Sequence, residues 1–384
     1  MLDESGRTLY YKVNLNTTAI VLYTVADLVD CTIGSVHFAE DHMNKARARF
    51  VKVLNFEMPD DRLPVMEWAA WWDRTIDRWR LEGLPEAADF RSSGGLSASL
   101  QYFDLDELHC ISAGPIGRGA PTPCRHGAGI LKNEAEYEKC LPYLYTDRSI
   151  KSLCQTARLL RKRHEAGDVA IRLWLDGFFW FPRSLFGIED HFFAFYDQAE
   201  LMLRMNRDLA AFHERTLDAL LPILIPDMVG FAEDMSYNHG PMLSYDLFQS
   251  FVAPFYHRLV PKLKATGMKV FVDSDGQVHE LLPLLIDCGI EGIYPLERQS
   301  GVDVNSIRMT YPKFLMLGGY DKLVMNQGEA AMRAEFERLL PAMRSGGFIP
   351  SVDHQTPPGV SLEQYRIFLQ LFDEYARKAV LQPV

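Results

Sequence analysis

From about residue 64 the chain alternates short apolar runs with longer segments whose apolar residues return every three or four positions. A short apolar run closed by polar residues reads as a buried strand, and the longer period reads as an amphipathic helix. The runs are LPVMEW (63–68), a weaker one at LHCISA, VAIRLWL (169–175), DMVGFAED (227–234), MKVFV (268–272), GIYPL (292–296), FLMLGG (314–319) and GFIPSV (347–352). Helical patterns lie between them: WWDRTIDRWRLEGL, 147–166, two within 189–222, 245–265, VHELLPLLIDC, 303–310, 328–344 and a last one from Leu362. Pro254 and Pro261 are expected to kink or divide the 245–265 helix. Ser361 with Gln364 three residues on spells a capping box for the last helix. Residues 89–130, richer in Gly, Ser and Pro, read as an irregular insertion.

Eight apolar runs alternating with helices predict a parallel sheet covered by helices. The fold class expected is α/β, a (β/α)8 TIM barrel in one domain over 43–384, with 1–42 as an N-terminal extension. That extension fits poorly with the segment next to it. Met43 opens a basic amphipathic segment, as a domain start would, so 1–42 reads as an appendage or an upstream start. An open doubly wound sheet is the alternative, but it calls for a Gly-rich loop after the first strand, where MEWAAWW has none.

Net charge changes the list of partners. At −11 over 384 residues, duplex nucleic acid and anionic membranes are poor partners. No apolar stretch reaches the roughly 18 residues of a spanning helix. Six scattered cysteines with no C-x-x-C read as reduced thiols of a cytoplasmic protein.

The chemistry is expected where the strands end. In a barrel the C-terminal ends of all strands meet at one mouth. The residues there are Glu67, Asp176, Glu233 and Asp234, Asp273 and Asp275, Glu297, Asp321, and Asp353 with His354. Carboxylates gathered in a cleft raise one another's pKa, and metal binding or proton chemistry compensates. Asp275-Gly276 also reads more simply as a turn that caps the following helix. Tyr237 and Tyr320 read as donors to a substrate oxygen or as packing. Trp68, Trp71 and Trp72 read as core or as the wall against a flat ligand.

Four stretches, RWRLEGLP (78–85), EDMSYNHGPMLS (233–244), VDSDGQVHELLPLLIDCGIEGIYPLE (272–297) and LGGYDKLVMNQGEAA…GGFIPSVDHQTPPGVSLEQY (317–365), together resemble the uroporphyrinogen decarboxylase superfamily. The closer likeness is to its decarboxylase-like and corrinoid methyltransferase branch. The resemblance implies a (β/α)8 barrel. The decarboxylase proper carries an RQAGRY-type segment after its first strand. Here EWAAWWDRTIDRW stands in that place, and an acidic mouth suits a substrate with eight carboxylates badly. In the methyltransferase branch a His-x-Cys pair and a later Cys hold zinc. The matching positions are Asp273, Asp275 and one near Asp353. With His354 these offer oxygen and imidazole donors for a divalent metal such as zinc, without a thiolate.

The resemblance therefore implies a methyltransferase that moves a methyl group from a small O-methyl or N-methyl donor, an aryl methyl ether for example, to the cobalt of a corrinoid protein. Asp273, Asp275, Glu233, Asp234 and His354 are its candidate catalytic residues. Trp68, Trp72, Asp176, Tyr237, Glu297 and Tyr320 are candidates for substrate contact. Expected partners are the small-molecule substrate and the corrinoid protein, with a homodimer as a further candidate. Two alternatives stand beside it: a decarboxylase for a less anionic substrate, and a non-catalytic binding barrel.

Overall fold

The computed structural model describes residues 46–381, so the extension expected over 1–42 lies outside the described residues. Among the described residues nine strands occur in chain order: β1 (Leu108–Ser112), β2 (Ala170–Asp176), β3 (Met228–Ala232), β4 (Ser236–Tyr237), β5 (Gly240–Pro241), β6 (Lys269–Asp273), β7 (Gly292–Tyr294), β8 (Leu315–Tyr320) and β9 (Phe348–Val352). Seven of them form one sheet in the order β1-β2-β3-β6-β7-β8-β9, every neighbouring pair parallel. β4 and β5 make a small antiparallel hairpin after β3. Spatial order follows chain order and helices fill the connections, so the sheet curls into a (β/α)8 TIM-barrel-like fold.

The expected strand at 63–68 departs from that plan. The segment is buried from Arg62 to Glu67 but joins no ladder. Pro64 has no N–H to give to a ladder. Val65 instead donates its N–H to the Asp106 carboxylate at 2.9 Å and accepts from the Asp106 N–H at 2.8 Å. On the other side Trp68 donates its N–H to Ser351 Oγ at 3.4 Å and its indole Nε1–H to the Val352 carbonyl at 2.9 Å. The segment thus occupies the eighth place, between β1 and β9, held largely through side chains.

Helix signals behave as the physics of caps requires. Ser361 and Gln364 form the capping box of Leu362–Val380. The expected 245–265 helix is divided into Tyr245–Phe251 and Ala253–Ala265, the second starting with Pro254 in its first turn; Pro261 lies inside it without ending it.

Successive residues of a strand face opposite sides of the sheet. Leu173 and Leu175 are fully buried, while Arg172, Trp174 and Asp176 share the other face. Register places Trp174, Gly230, Phe271 and Gly292 in one row across β2, β3, β6 and β7. The two glycines there make room for rings: a Cβ on Gly230 would come within 2.1 Å of Tyr294 Oη, and one on Gly292 within 2.4 Å of the Phe271 ring. Gly230→Ala is expected to cost about 1–3 kcal/mol through overpacking, lowering the melting temperature by several degrees. Adding Tyr294→Phe, which removes the colliding hydroxyl, should restore part of the loss in a calorimetric comparison of the single and double variants.

Candidate functional site

β6 ends at Asp273, and Ser274-Asp275-Gly276 turns the chain out of the sheet. The turn is fixed from three sides. Ser274 donates its N–H to the Tyr294 carbonyl at 3.0 Å, and its hydroxyl accepts from the Met235 N–H at 3.1 Å. Gly276 donates to Glu297 Oε2 at 3.2 Å. Gly276 has φ +81°, and a Cβ there would lie 2.7 Å from the Tyr237 backbone. Glycine is therefore required both by the left-handed conformation and by the hairpin lying on the turn.

The mouth gathers Asp273, Asp275, Asp234 and His354. Neither Asp273 nor Asp275 pairs with an Arg or Lys among the described residues. Burial pushes the Asp273 carboxyl up to about 8, opposed by the Arg172 charge and helped by Asp234. Loss of water also raises Asp275 well above the usual carboxylate range, with Asp234, Asp273 and Glu297 adding to it and Lys322 opposing. The Asp275 side chain is 39% exposed into the mouth, so water tempers that rise. Asp234, at φ +42°, turns its side chain to Arg183 at 3.2 Å; burial raises it and Arg183 opposes. His354 Nδ1 lies 3.7 Å from Asp275 Oδ1. Burial and then Lys322 push the imidazole down to about 4, so it is neutral at pH 7. Asp176, at the end of β2, is pushed up to about 6 by burial.

Several expected site residues serve elsewhere. Glu233 is fully buried and accepts the N–H groups of Phe178 (2.8 Å), Phe179 (2.8 Å) and Trp180 (3.1 Å) and the Tyr256 hydroxyl. It ties down the start of helix Trp180–Phe186 and has no lone pair to spare for the mouth. A Cβ on Gly177 would strike the Glu233 carboxyl at 2.0 Å. Burial pushes Glu233 up to about 7 against those donors. Tyr320, expected to touch substrate, instead packs behind the sheet on Phe336 and Phe368, at ring separations of 4.6 and 5.0 Å.

Asp353 is enclosed by the Arg298 N–H at 2.9 Å and the Lys322 ammonium at 3.4 Å. Burial pushes it up to about 6, with Lys322 opposing. Glu297 braces the turn through Gly276 and the Ser300 hydroxyl. Tyr237 sits half exposed on the hairpin, its ring edge-on to His239. Trp72 precedes helix Asp73–Leu81, whereas Trp68, Trp71 and Trp174 line the adjoining cavity. Among the described residues no three His, Cys, Asp or Glu side chains come together closely enough to hold a metal ion. Asp273, Asp275, Asp353 and His354 thus do not assemble a zinc site in this arrangement.

Arg172 was not expected. It lies 6% exposed in the middle of β2, beside that cavity, with its guanidinium 5.1 Å from the Trp174 ring centre, 5.4 Å from Tyr294 and 5.8 Å from Trp68. Glu67, on the same cavity wall, accepts from the Tyr365 hydroxyl at 3.0 Å. Burial pushes its carboxyl up to about 8, so it does not neutralise the arginine at pH 7.

A TIM-like barrel gathers its strand ends at the C-terminal mouth, and Asp273 and Asp275 stand there without an Arg or Lys partner among the described residues. Residues 223–375 match the family model for uroporphyrinogen decarboxylase (URO-D), the superfamily that the sequence stretches resemble. Among solved structures, a methyltransferase from Methanosarcina mazei aligns over 86% of this chain and 98% of its own, at 15% identity and a TM-score of 0.58. A B12-independent methionine synthase from Shewanella sp. W3-18-1 aligns over 59% of this chain and 65% of its own, at 15% identity and a TM-score of 0.41. At such identities the first likeness establishes the fold. No curated protein matches the chain. No helix among the described residues is long and apolar enough to cross a membrane.

The acids give two testable outcomes. A carboxyl whose folded pKa lies above its unfolded value keeps its proton where the unfolded chain loses it. Asp273 therefore subtracts stability progressively as pH rises from about 4 to about 8. Asp273→Asn should remove this term, so the variant gains on the parent across that window in denaturant titrations at stepped pH. Glu233→Ala strips several buried donors of their acceptor and should cost about 3 kcal/mol, visible as a lower unfolding midpoint.

Proposed function

We propose that the chain is a methyltransferase that takes a methyl group from a small O-methyl or N-methyl donor, with Asp273 as the proton donor to the atom left behind. The observation that carries this reading is the Asp273 carboxyl, without an Arg or Lys ion pair at the mouth and pushed up to about 8. Breaking a carbon–oxygen bond leaves an alkoxide or phenoxide, a poor leaving group. A carboxyl still protonated at pH 7 places a proton on that oxygen as the bonding pair moves to it. Asp275 and the neutral His354 stand beside Asp273 at the solvent side, suited to restoring its proton from water. A corrinoid protein would supply the cobalt that accepts the methyl group. Asp275 and Asp234, each more than a third exposed, leave the mouth accessible to such a partner. The shared fold with the M. mazei methyltransferase supports the same reading.

A second reading has its own observation. A decarboxylase needs a buried cation beside the scissile carboxylate, and Arg172 supplies one; Asp273 would then protonate the carbanion that remains. Uroporphyrinogen itself suits the site poorly, because the mouth is acidic and EWAAWWDRTIDRW offers none of the paired arginines a polycarboxylate calls for. A purely binding barrel would pair off its acids, whereas Asp176, Asp273 and Asp275 have no Arg or Lys partner among the described residues.

The test is turnover of a panel of methyl ethers and methylamines in the presence of a reduced corrinoid protein. Demethylation should fall as pH passes about 8 and Asp273 ionises. Asp273→Asn should cut it roughly a hundredfold or more with a melting temperature no lower than the parent's. Release of carbon dioxide from a carboxylic acid panel, without demethylation, would establish the second reading instead.

A further inference from the structure

The cavity beside the mouth has a volume of about 230 Å³ and is walled by Trp68, Trp71, Trp174, Leu100, Cys110 and Arg172. A dry cavity of roughly 150 Å³ already admits benzene, so one ring with a substituent fits. The lumen is hollow here: Cys110, in the middle of β1 and opposite Arg172 in the register, is exposed. Arg172 keeps its charge at any working pH, yet it forms no ion pair among the described residues. Its Nε and Nη1 are buried without a hydrogen bond of good geometry, Nη2 reaches the Trp68 carbonyl at 3.4 Å, and the Cys110 thiol and the Tyr294 hydroxyl are its other polar neighbours. Three aromatic faces offset part of the lost hydration. A buried charge without an ion pair is still costly to keep.

We propose that Arg172 is the anchor for the carboxylate of a small flat ligand whose ring lies between Trp68 and Trp174. A carboxylate supplies both the missing acceptors and the missing countercharge. The indole walls favour a ring over a bare inorganic anion. The cavity shares Trp68 with the mouth, where that indole stands 6.1 Å from the His354 ring. A ligand anchored at Arg172 would therefore direct its far end to the acids. This rests on the reading of the mouth as the reaction centre and names the substrate class as single-ring carboxylic acids.

Benzoate is the probe, with benzamide as its uncharged isostere, titrated calorimetrically into the full chain. Benzoate should bind at least tenfold more tightly than benzamide, and inorganic phosphate should not displace it. Arg172→Met should weaken benzoate at least tenfold and leave benzamide within about twofold. Cys110→Phe, which fills the cavity from the opposite strand and keeps the arginine, should abolish binding of both, with melting temperatures confirming that each variant folds. Benzoate binding that is undetectable, equal to that of benzamide, displaced by phosphate, or unchanged in Arg172→Met would each overturn the proposal. The assay needs no turnover and so separates this proposal from the catalytic one. Asp273→Asn should keep benzoate binding while losing activity, whereas an active Asp273→Asn that binds benzoate would overturn the catalytic reading alone.

Discussion

The carbonyl oxygen of Asp273 accepts two consecutive backbone N–H groups, from Glu233 and Asp234, each at 3.0 Å. This shared acceptor joins the ends of β3 and β6 and determines where three carboxyls go. It allows Asp234 to take its left-handed backbone and swing inward to Arg183 and the mouth. It leaves Glu233 facing the other way, to the start of helix Trp180–Phe186. It also holds the Asp273 backbone while its side chain stays free of ion pairs. The raised pKa values depend on that placement, because they come from burial and from carboxyls held in mutual range.

Around that junction the remaining contacts act as braces. Glu297 holds Gly276, Gly276 admits the hairpin, and Lys322 compensates Asp353. The mouth thus contains two kinds of acid. Those that are bonded on several sides maintain the geometry, and Asp273, which has no Arg or Lys ion pair among the described residues, is pushed up to about 8. The aromatic cavity next to the mouth adds a third environment, where a fixed positive charge sits among rings.

Much of this was legible in the chain. Strand–helix alternation and the Ser361/Gln364 box specify their elements through local physics, and Asp273 and Asp275 converge with His354 because parallel strands end on one side. The failures have equally local causes. Glu233 and Asp234 lie just past the end of β3, where the left-handed backbone of Asp234 sends the two neighbours to opposite destinations, and the order of residues at a strand end does not say which way each faces. Tyr320 went astray for the same reason. LPVMEW has strand-like residues, but its Pro64 denies it a ladder. Arg172 had a signal in plain view: a lone arginine inside the apolar run VAIRLWL, where burial on both faces leaves no solvent to receive it.

The eighth place in the barrel is mechanically unlike the other seven. Elsewhere neighbouring strands are laced by backbone hydrogen bonds, and parting them would break several at once. Between β1 and β9 the ring is closed by Asp106, Ser351 and one indole. Such a closure can loosen by side-chain rotation while the seven-stranded sheet stays whole. The ring therefore has a clasp, and the clasp adjoins the hollow part of the lumen.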